Sequence, residues 1–227
     1  MDKYTIDEIY NELESDILYL RLQPGEVISE NTLCGKYGVS RTPIRSVLQK
    51  LQTNGLVNIK SRASTTVSLL NFDEIQQMIY LRTAAETMVL RDFIQSATPL
   101  DIEKAKFAQE TLVKLYAEYQ RTQDIAIIQK FYACDLQTHL IWFEQANKHF
   151  LWEKISNSNS SYTRFRILDM KLKENFNDVI CDHQMLIDAI SNKDVSSLEK
   201  IITDHLSGGI KRIGNQIFTT YKDFFII

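Results

Sequence analysis

LQPGEVISENTLCGKYGVSRTPIRSVLQKLQTNGLV, residues 22–57, decides the fold at the front of the chain. Pro24-Gly25 punctuates a turn. Ser29 is a plausible N-cap for a short helix reaching Tyr37, with Leu33 and Tyr37 facing inward and Gly38 as its C-cap residue. The next helix opens at Thr42-Pro43, with Thr42 as cap and Pro43 at the first helical position. Ile44, Val47, Leu48 and Leu51 form its apolar stripe, Arg41, Arg45, Gln49 and Gln52 lie along another face, and Gly55 stops it.

Working outward, Ile6, Ile9, Leu13, Ile17 and Leu20 recur at three- and four-residue steps, one face of an amphipathic helix over Thr5–Leu20. After the quoted stretch come two β-prone segments, Leu56–Lys60 and Thr65–Leu70, separated by four residues that include Arg62. Three short helices, a three-residue turn between the second and third, and a hairpin make a winged helix-turn-helix with a two-stranded wing. A small three-helix domain with a merely solvated face is the bland alternative; the turn spacing favours DNA. A basic, polar third helix fits the major groove, whose base edges carry a distinguishable donor and acceptor code.

Charge distribution agrees. The net charge of −3 argues by itself against nucleic acid. Yet residues 29–70 hold six basic groups against Glu30 alone, whereas residues 1–28 hold two basic and seven acidic groups. A basic block inside an acidic chain is the footprint of a local polyanion contact.

The stretch 22–57 resembles the DNA-binding domain of GntR-type transcription regulators, most specifically in its PGE turn, its GVSRTPIR core and its NGLV exit. The resemblance covers residues 5–70. It implies that Arg41, Thr42 and Arg45 meet bases or phosphates near the operator centre, that Asn31 occupies another contact position, and that the wing contributes through Arg62. Ser64 stands where the family commonly has Gly.

The remainder, 71–227, reads as an all-helical bundle. Only 7 Gly and 3 Pro in 227 residues argue against a many-turned sandwich or barrel. No run approaches the ~20 apolar residues of a membrane span, and the N-terminus lacks a secretory pattern. Cys34, Cys134 and Cys181 are scattered, which fits reduced thiols. A cytoplasmic chain with no membrane partner is expected.

On the helix from Asp73 to Ser96, Arg82 interrupts the apolar line Ile75, Met78, Ala85, Val89. A guanidinium facing a core needs a carboxylate, since an unpaired buried charge is very costly. Glu86, four residues on, and a ligand carboxylate gripped bidentately are both open from spacing alone. Further helices run from Thr98-Pro99 to about Gln120 and from Asp124 to about Phe143. Asp135 and His139 share one face of the latter, His183 lies on a helix over 179–190, and His205 on a helix from Val195 to about Gly208. One carboxylate and three imidazoles suit a divalent transition metal such as Zn²⁺, Ni²⁺ or Mn²⁺. Satisfied core side chains would give the same spacing. His149, beside a turn, is read as a bystander.

Residues 73–210 resemble the ligand-sensing FCD branch of the same regulators. LRTAAE (81–86), D-x-x-x-H at Asp135 and His139, DHQMLIDAI (182–190) and DHL (204–206) follow that family in order and spacing. The resemblance implies that Asp135, His139, His183 and His205 ligate the metal and that Arg82 faces a carboxylate effector. SNSNSS (156–161) is more polar than the family's middle helix. The expectation is a homodimeric regulator with a DNA-binding domain at 1–70 and a metal- and ligand-sensing domain at 71–227. It would bind double-stranded DNA at a palindromic operator under control of a small organic acid. A helical metalloenzyme acting on a small acid, and a DNA-binding regulator with a purely structural metal, are the alternatives. No dedicated acid, base or nucleophile accompanies the histidines, which argues against turnover.

Overall fold

A computed structural model describes residues 4–60, 64–156, 159–172 and 175–227. The chain divides into two compact units. The first comprises Met1–Phe72, Ser160–Arg164 and Asn215–Ile227; the second comprises Asp73–Asn159 and Phe165–Gly214.

In the first unit, Thr5 caps α1 (Ile6–Leu18) through a reciprocal capping box with Glu8. Strand β1 (Val27–Ile28) follows the Pro24-Gly25 turn, where Gly25 takes φ +81°. Ser29 accepts a hydrogen bond from the Thr32 amide and so starts α2 (Glu30–Tyr37), which Gly38 ends in the left-handed region at φ 65°. Helix α3 (Arg41–Thr53) begins after Ser40, not after Thr42 as its proline suggests. Pro43 therefore sits third in the first turn. It is tolerated there because the first-turn amides have no helical acceptor to lose.

The wing strands are β2 (Val57–Ile59) and β3 (Thr65–Val67), paired antiparallel. These two strands are the expected wing, and β1 joins them in a three-stranded sheet in the order β1-β3-β2. The extended pair after the Pro-Gly turn satisfies the free edge of β3. Ile9, Leu13 and Ile17 of α1, Leu33 and Tyr37 of α2, the α3 stripe and Val57 and Val67 close one core. A strand β4 (Leu70–Asn71) pairs in parallel with β5 (Phe225–Ile226), which the all-helical expectation for 71–227 did not contain. Two residues on each side are too short to leave a periodic signal.

The second unit is helical: α4 (Phe72–Ser96), α5 (Pro99–Thr122), α6 (Ala126–Gln145), α7 (His149–Ser156), α9 (Asn175–Ser191) and α10 (Leu198–Ile213), with the greater part of α8 (Ser160–Lys171). Thr98 and Asp101 form the capping box that opens α5. Phe176 stacks on Tyr119 at 4.8 Å and meets Phe131 edge-on at 4.7 Å, which ties α5, α6 and α9 around one aromatic centre. Among the described residues, no helix is long and apolar enough to cross a membrane.

Candidate functional site

On α6 the buried stripe runs Ile128, Phe131, Asp135, His139 and Trp142, so two polar residues continue an apolar line. That placement buries them completely. His183 on α9 and His205 on α10 reach the same point, and one donor atom from each of Asp135, His139, His183 and His205 lies within 4.8 Å of the others. His139 Nε2 is 3.2 Å from His205 Nε2, and His183 Nε2 is 3.2 Å from Asp135 Oδ1. His139 Nε2 and His205 Nε2 each stand 3.9 Å from that same oxygen. Ligands ~2.1 Å from a common ion stand roughly 3.0–3.4 Å apart when adjacent.

Asp135 Oδ1 and both ring nitrogens of His183 are buried without a hydrogen bond. Buried polar atoms lacking partners are costly in a folded protein. A cation at their centre would satisfy Asp135 Oδ1 and one nitrogen of His183, so the residues present fit a metal ion.

A second ring of groups holds these side chains in place. Glu86 Oε2 lies 2.6 Å from His139 Nδ1, and Glu86 Oε1 accepts from Arg82 Nε at 2.6 Å. Asp182 Oδ2 is 3.4 Å from His205 Nδ1, close enough to orient that ring. Arg166 donates to Asp135 Oδ2 at 3.0 Å. Trp142 meets the His139 ring edge-on at 4.9 Å, and the Trp152 ring lies 5.8 Å from the Arg82 guanidinium carbon.

Electrostatics keeps these groups in their metal-binding protonation states. Burial pushes the His139 and His205 imidazoles below their ordinary range, His205 to about 3. Burial opposes ionisation of Glu86, but Arg82 and the His139 ring hold its carboxyl at about 2. Burial opposes ionisation of Asp135, but Arg166 together with the His183 and His139 rings holds its carboxyl well below the usual carboxylate range. Neutral imidazoles with a charged carboxylate are the forms that bind metal.

In the first unit the α3 stripe Ile44, Val47, Leu48 and Leu51 is buried, and Arg41, Thr42, Arg45, Gln49 and Gln52 are exposed. Arg41 Nη2 donates to Asn31 Oδ1 at 3.0 Å, and Arg45 Nε lies 3.1 Å from both carboxylate oxygens of Glu30. Four of the five residues assigned to DNA thus share one exposed surface of α2 and α3. Arg62 lies outside the described residues.

The structure joins Arg82 to Glu86, the internal pair that spacing had left open. Glu86 was visible as that partner but not as the support of His139, because their 53-residue separation has no sequence signal. Arg166 and Asp182, which support Asp135 and His205, have no local sequence signal. Arg164, two residues before Arg166 on α8, points elsewhere: it donates to Ser68 O at 2.6 Å within the first unit. His149 is exposed at the start of α7, beside Glu153.

A winged helix-turn-helix followed by a helical bundle with a buried Asp-His₃ cluster is the architecture of a DNA-binding transcription regulator. The comparisons with known proteins give the family. The model of "Bacterial regulatory proteins, gntR family" matches residues 5–67, and that of the "FCD domain" matches residues 77–208. The chain belongs to the GntR family of transcription regulators, in its FCD branch.

It is 23% identical over 199 residues to the HTH-type transcriptional repressor RspR of Escherichia coli, covering 88% of this chain and 84% of that one. The gluconate operon transcriptional repressor of Bacillus subtilis is 21% identical over 187 residues, covering 81% and 74%. Among solved structures, E. coli McbR/YncC superposes with a TM-score of 0.65 at 18% identity, covering 93% of this chain and 97% of that one. The two repressors and both matching families are transcriptional regulators, which sets aside the enzyme reading.

Proposed function

We propose that the protein is a homodimeric, ligand-controlled regulator that reads a palindromic operator and responds to a small organic acid at a divalent transition metal. The convergence of Asp135, His139, His183 and His205 on one buried point carries this reading. These four residues hold the ion, with Zn²⁺, Ni²⁺ and Mn²⁺ all compatible with their donors.

Charge arithmetic supports an acidic effector. Arg82 and Arg166 balance Glu86 and Asp135, and Asp182 at the rim adds one negative group. A divalent ion then leaves a surplus positive charge in a buried setting, which a carboxylate neutralises. Arg82 and Arg166 are the guanidinium groups placed to grip it.

Asn31, Arg41, Thr42 and Arg45, with Arg62 from the wing, contact the operator. Two copies related by a two-fold axis read two half-sites. The effector acts by preferring one placement of the DNA-binding domains over another; a coupling of about 1–3 kcal/mol changes operator affinity some 5–150-fold.

The test is selection of bound fragments from random DNA by the full-length, metal-loaded protein, followed by titration with organic acids. A two-fold symmetric consensus whose affinity one class of acid changes by that factor is expected. An asymmetric consensus, or affinity that no acid changes, contradicts the reading. One observation favours a second reading: Glu86 already engages Arg82, as it would if the ion were purely structural. The melting temperature would then rise with metal and ignore every acid.

A further inference from the structure

Residues 68–71 join β3 to α4, and this linker is held at every position. Ordering such a stretch costs conformational entropy, which the bonds that hold it must offset. Arg164, completely buried, donates from Nη1 to Ser68 O at 2.6 Å, and from Nη2 to Ser68 Oγ at 3.1 Å and Leu69 O at 3.4 Å. Ser68 Oγ in turn donates to Gly55 O at 2.7 Å, at the exit of α3. The Asn71 amide donates to Ser161 Oγ at 3.1 Å.

The segment after α10 grips the same linker. Strand β5 pairs with β4 so that Leu70 lies opposite Phe225 and Asn71 opposite Ile226. Phe72, the first residue of α4, meets Phe218 and Phe225 edge-on at 6.4 and 6.3 Å. Ile217 and Phe225 are buried and anchor the segment. A Cβ at Gly25 would stand 3.5 Å from Leu69 Cδ2 and 4.0 Å from Asp223 O, so the segment also passes the Pro24-Gly25 turn. Linker and segment both lie outside the spans that match the family models.

The turn that sends the chain there is specified. Gly214 ends α10 at φ 47° and ψ −129°, a conformation that glycine adopts and L side chains avoid. A Cβ at that position would meet nothing within 4 Å, so the demand is on the backbone alone.

All of these linker contacts lie in the first unit, which takes in Ser160–Arg164 and Asn215–Ile227, whereas α8 beyond Arg164 and the whole of α10 belong to the second. Helix α8 carries Arg166, which donates to Asp135, and α10 carries His205. Two helices that build the buried cluster therefore continue, in one chain, into the residues that hold the linker.

We infer that residues 214–227 are a strap that, with the start of α8, clamps the 68–71 linker and passes displacements of α8 and α10 to it. As a clamp the strap stands on the linker contacts alone. As a route from the buried cluster to the DNA-binding domain it rests on the proposed regulation by a metal-bound effector.

Hydrogen–deuterium exchange of the full-length protein, read on peptides covering 68–72 and 222–227, tests both parts. In the metal-free protein, Gly214→Ala and Phe225→Ala should each raise exchange at the linker roughly tenfold or more, with α3, α9 and the helical circular dichroism unchanged. Gly214→Ala strains one turn without a clash, so it decides the matter even where Phe225→Ala unfolds the chain. Linker exchange as slow in Gly214→Ala as in the wild type overturns the clamp. Zn²⁺ is the probe for transmission. Loading the wild type should slow exchange at the linker, and Gly214→Ala should bind Zn²⁺ equally well yet lose that effect. A wild type that binds Zn²⁺ with unchanged linker exchange overturns the transmission and leaves the clamp standing. A wild type that binds no Zn²⁺ overturns the metal reading and the transmission with it, while the metal-free comparison still decides the clamp.

Discussion

Glu86 and His139, 53 residues apart in sequence, are joined at 2.6 Å in the buried centre of the helical second unit. The other oxygen of Glu86 holds Arg82, so one carboxylate links a guanidinium to a metal-ligand candidate. A carboxylate on Nδ1 leaves Nε2 free to coordinate and raises the basicity of the ring.

Glu86→Gln keeps the size of the side chain and removes its charge. Arg82 then loses the negative charge of Glu86 beside it, and His139 loses its orienting anion. Metal affinity should fall about 10–100-fold, read by competition with a chromophoric chelator. An unchanged affinity would separate Glu86 from the metal centre.

The metal-free protein should be acid-labile. His205 has a folded value of about 3 against an ordinary 6.5, so the unfolded chain binds the extra proton. Its contribution is complete above pH 6.5 and is lost as pH falls toward 3, at about 1.4 kcal/mol per unit. Glu86, at about 2 against 4.5, contributes fully above pH 4.5 and is lost as pH falls toward 2. Both act in the same direction. Urea midpoints measured from pH 7.5 to 5 should fall in the apo protein, and a rise would contradict the buried neutral imidazole.

The legible features were local. Ser29, Gly38 and the Thr98 cap act within one helical turn and left readable signals. Asp135 and His139 share a helix face by arithmetic alone. Helix α8 was not legible, because nearly every residue from Ser161 to Met170 is buried and no apolar face alternates with a polar one. That concealed Arg166, whose burial depends on Asp135, 31 residues away. Pairing of β4 with β5 is likewise set by long-range contact, not by propensity.

Under the proposed operator contact, Glu30 competes with DNA for Arg45. The pair is exposed, so its own stability is small, but a phosphate or base must displace the carboxylate. Arg45→Ala should weaken binding to the selected DNA by about 1–3 kcal/mol. Glu30→Ala should strengthen it by roughly 0.2–1 kcal/mol. Electrophoretic shifts at fixed salt check both, and weaker binding by Glu30→Ala would overturn the competition.

Gly209 permits a close helix approach. A methyl there would stand 2.9 Å from Asp169 Oδ2 and 3.0 Å from the Phe165 ring. Asp169 cannot retreat easily, because both its oxygens accept from Arg212 at 3.0 and 2.7 Å. Gly209→Ala should cost about 1–3 kcal/mol in chemical denaturation. A neutral substitution would show that α8 and α10 can separate without loss.

Asp135, His139, His183 and His205 are the proposed metal centre. Elemental analysis of the purified full-length protein beside His183→Ala, both dialysed against metal-free buffer after loading, tests it most directly. One tightly held transition-metal ion per chain in the wild type, with its loss in the variant, is predicted. A wild type that retains no metal, or a variant that retains as much as the wild type, would contradict it.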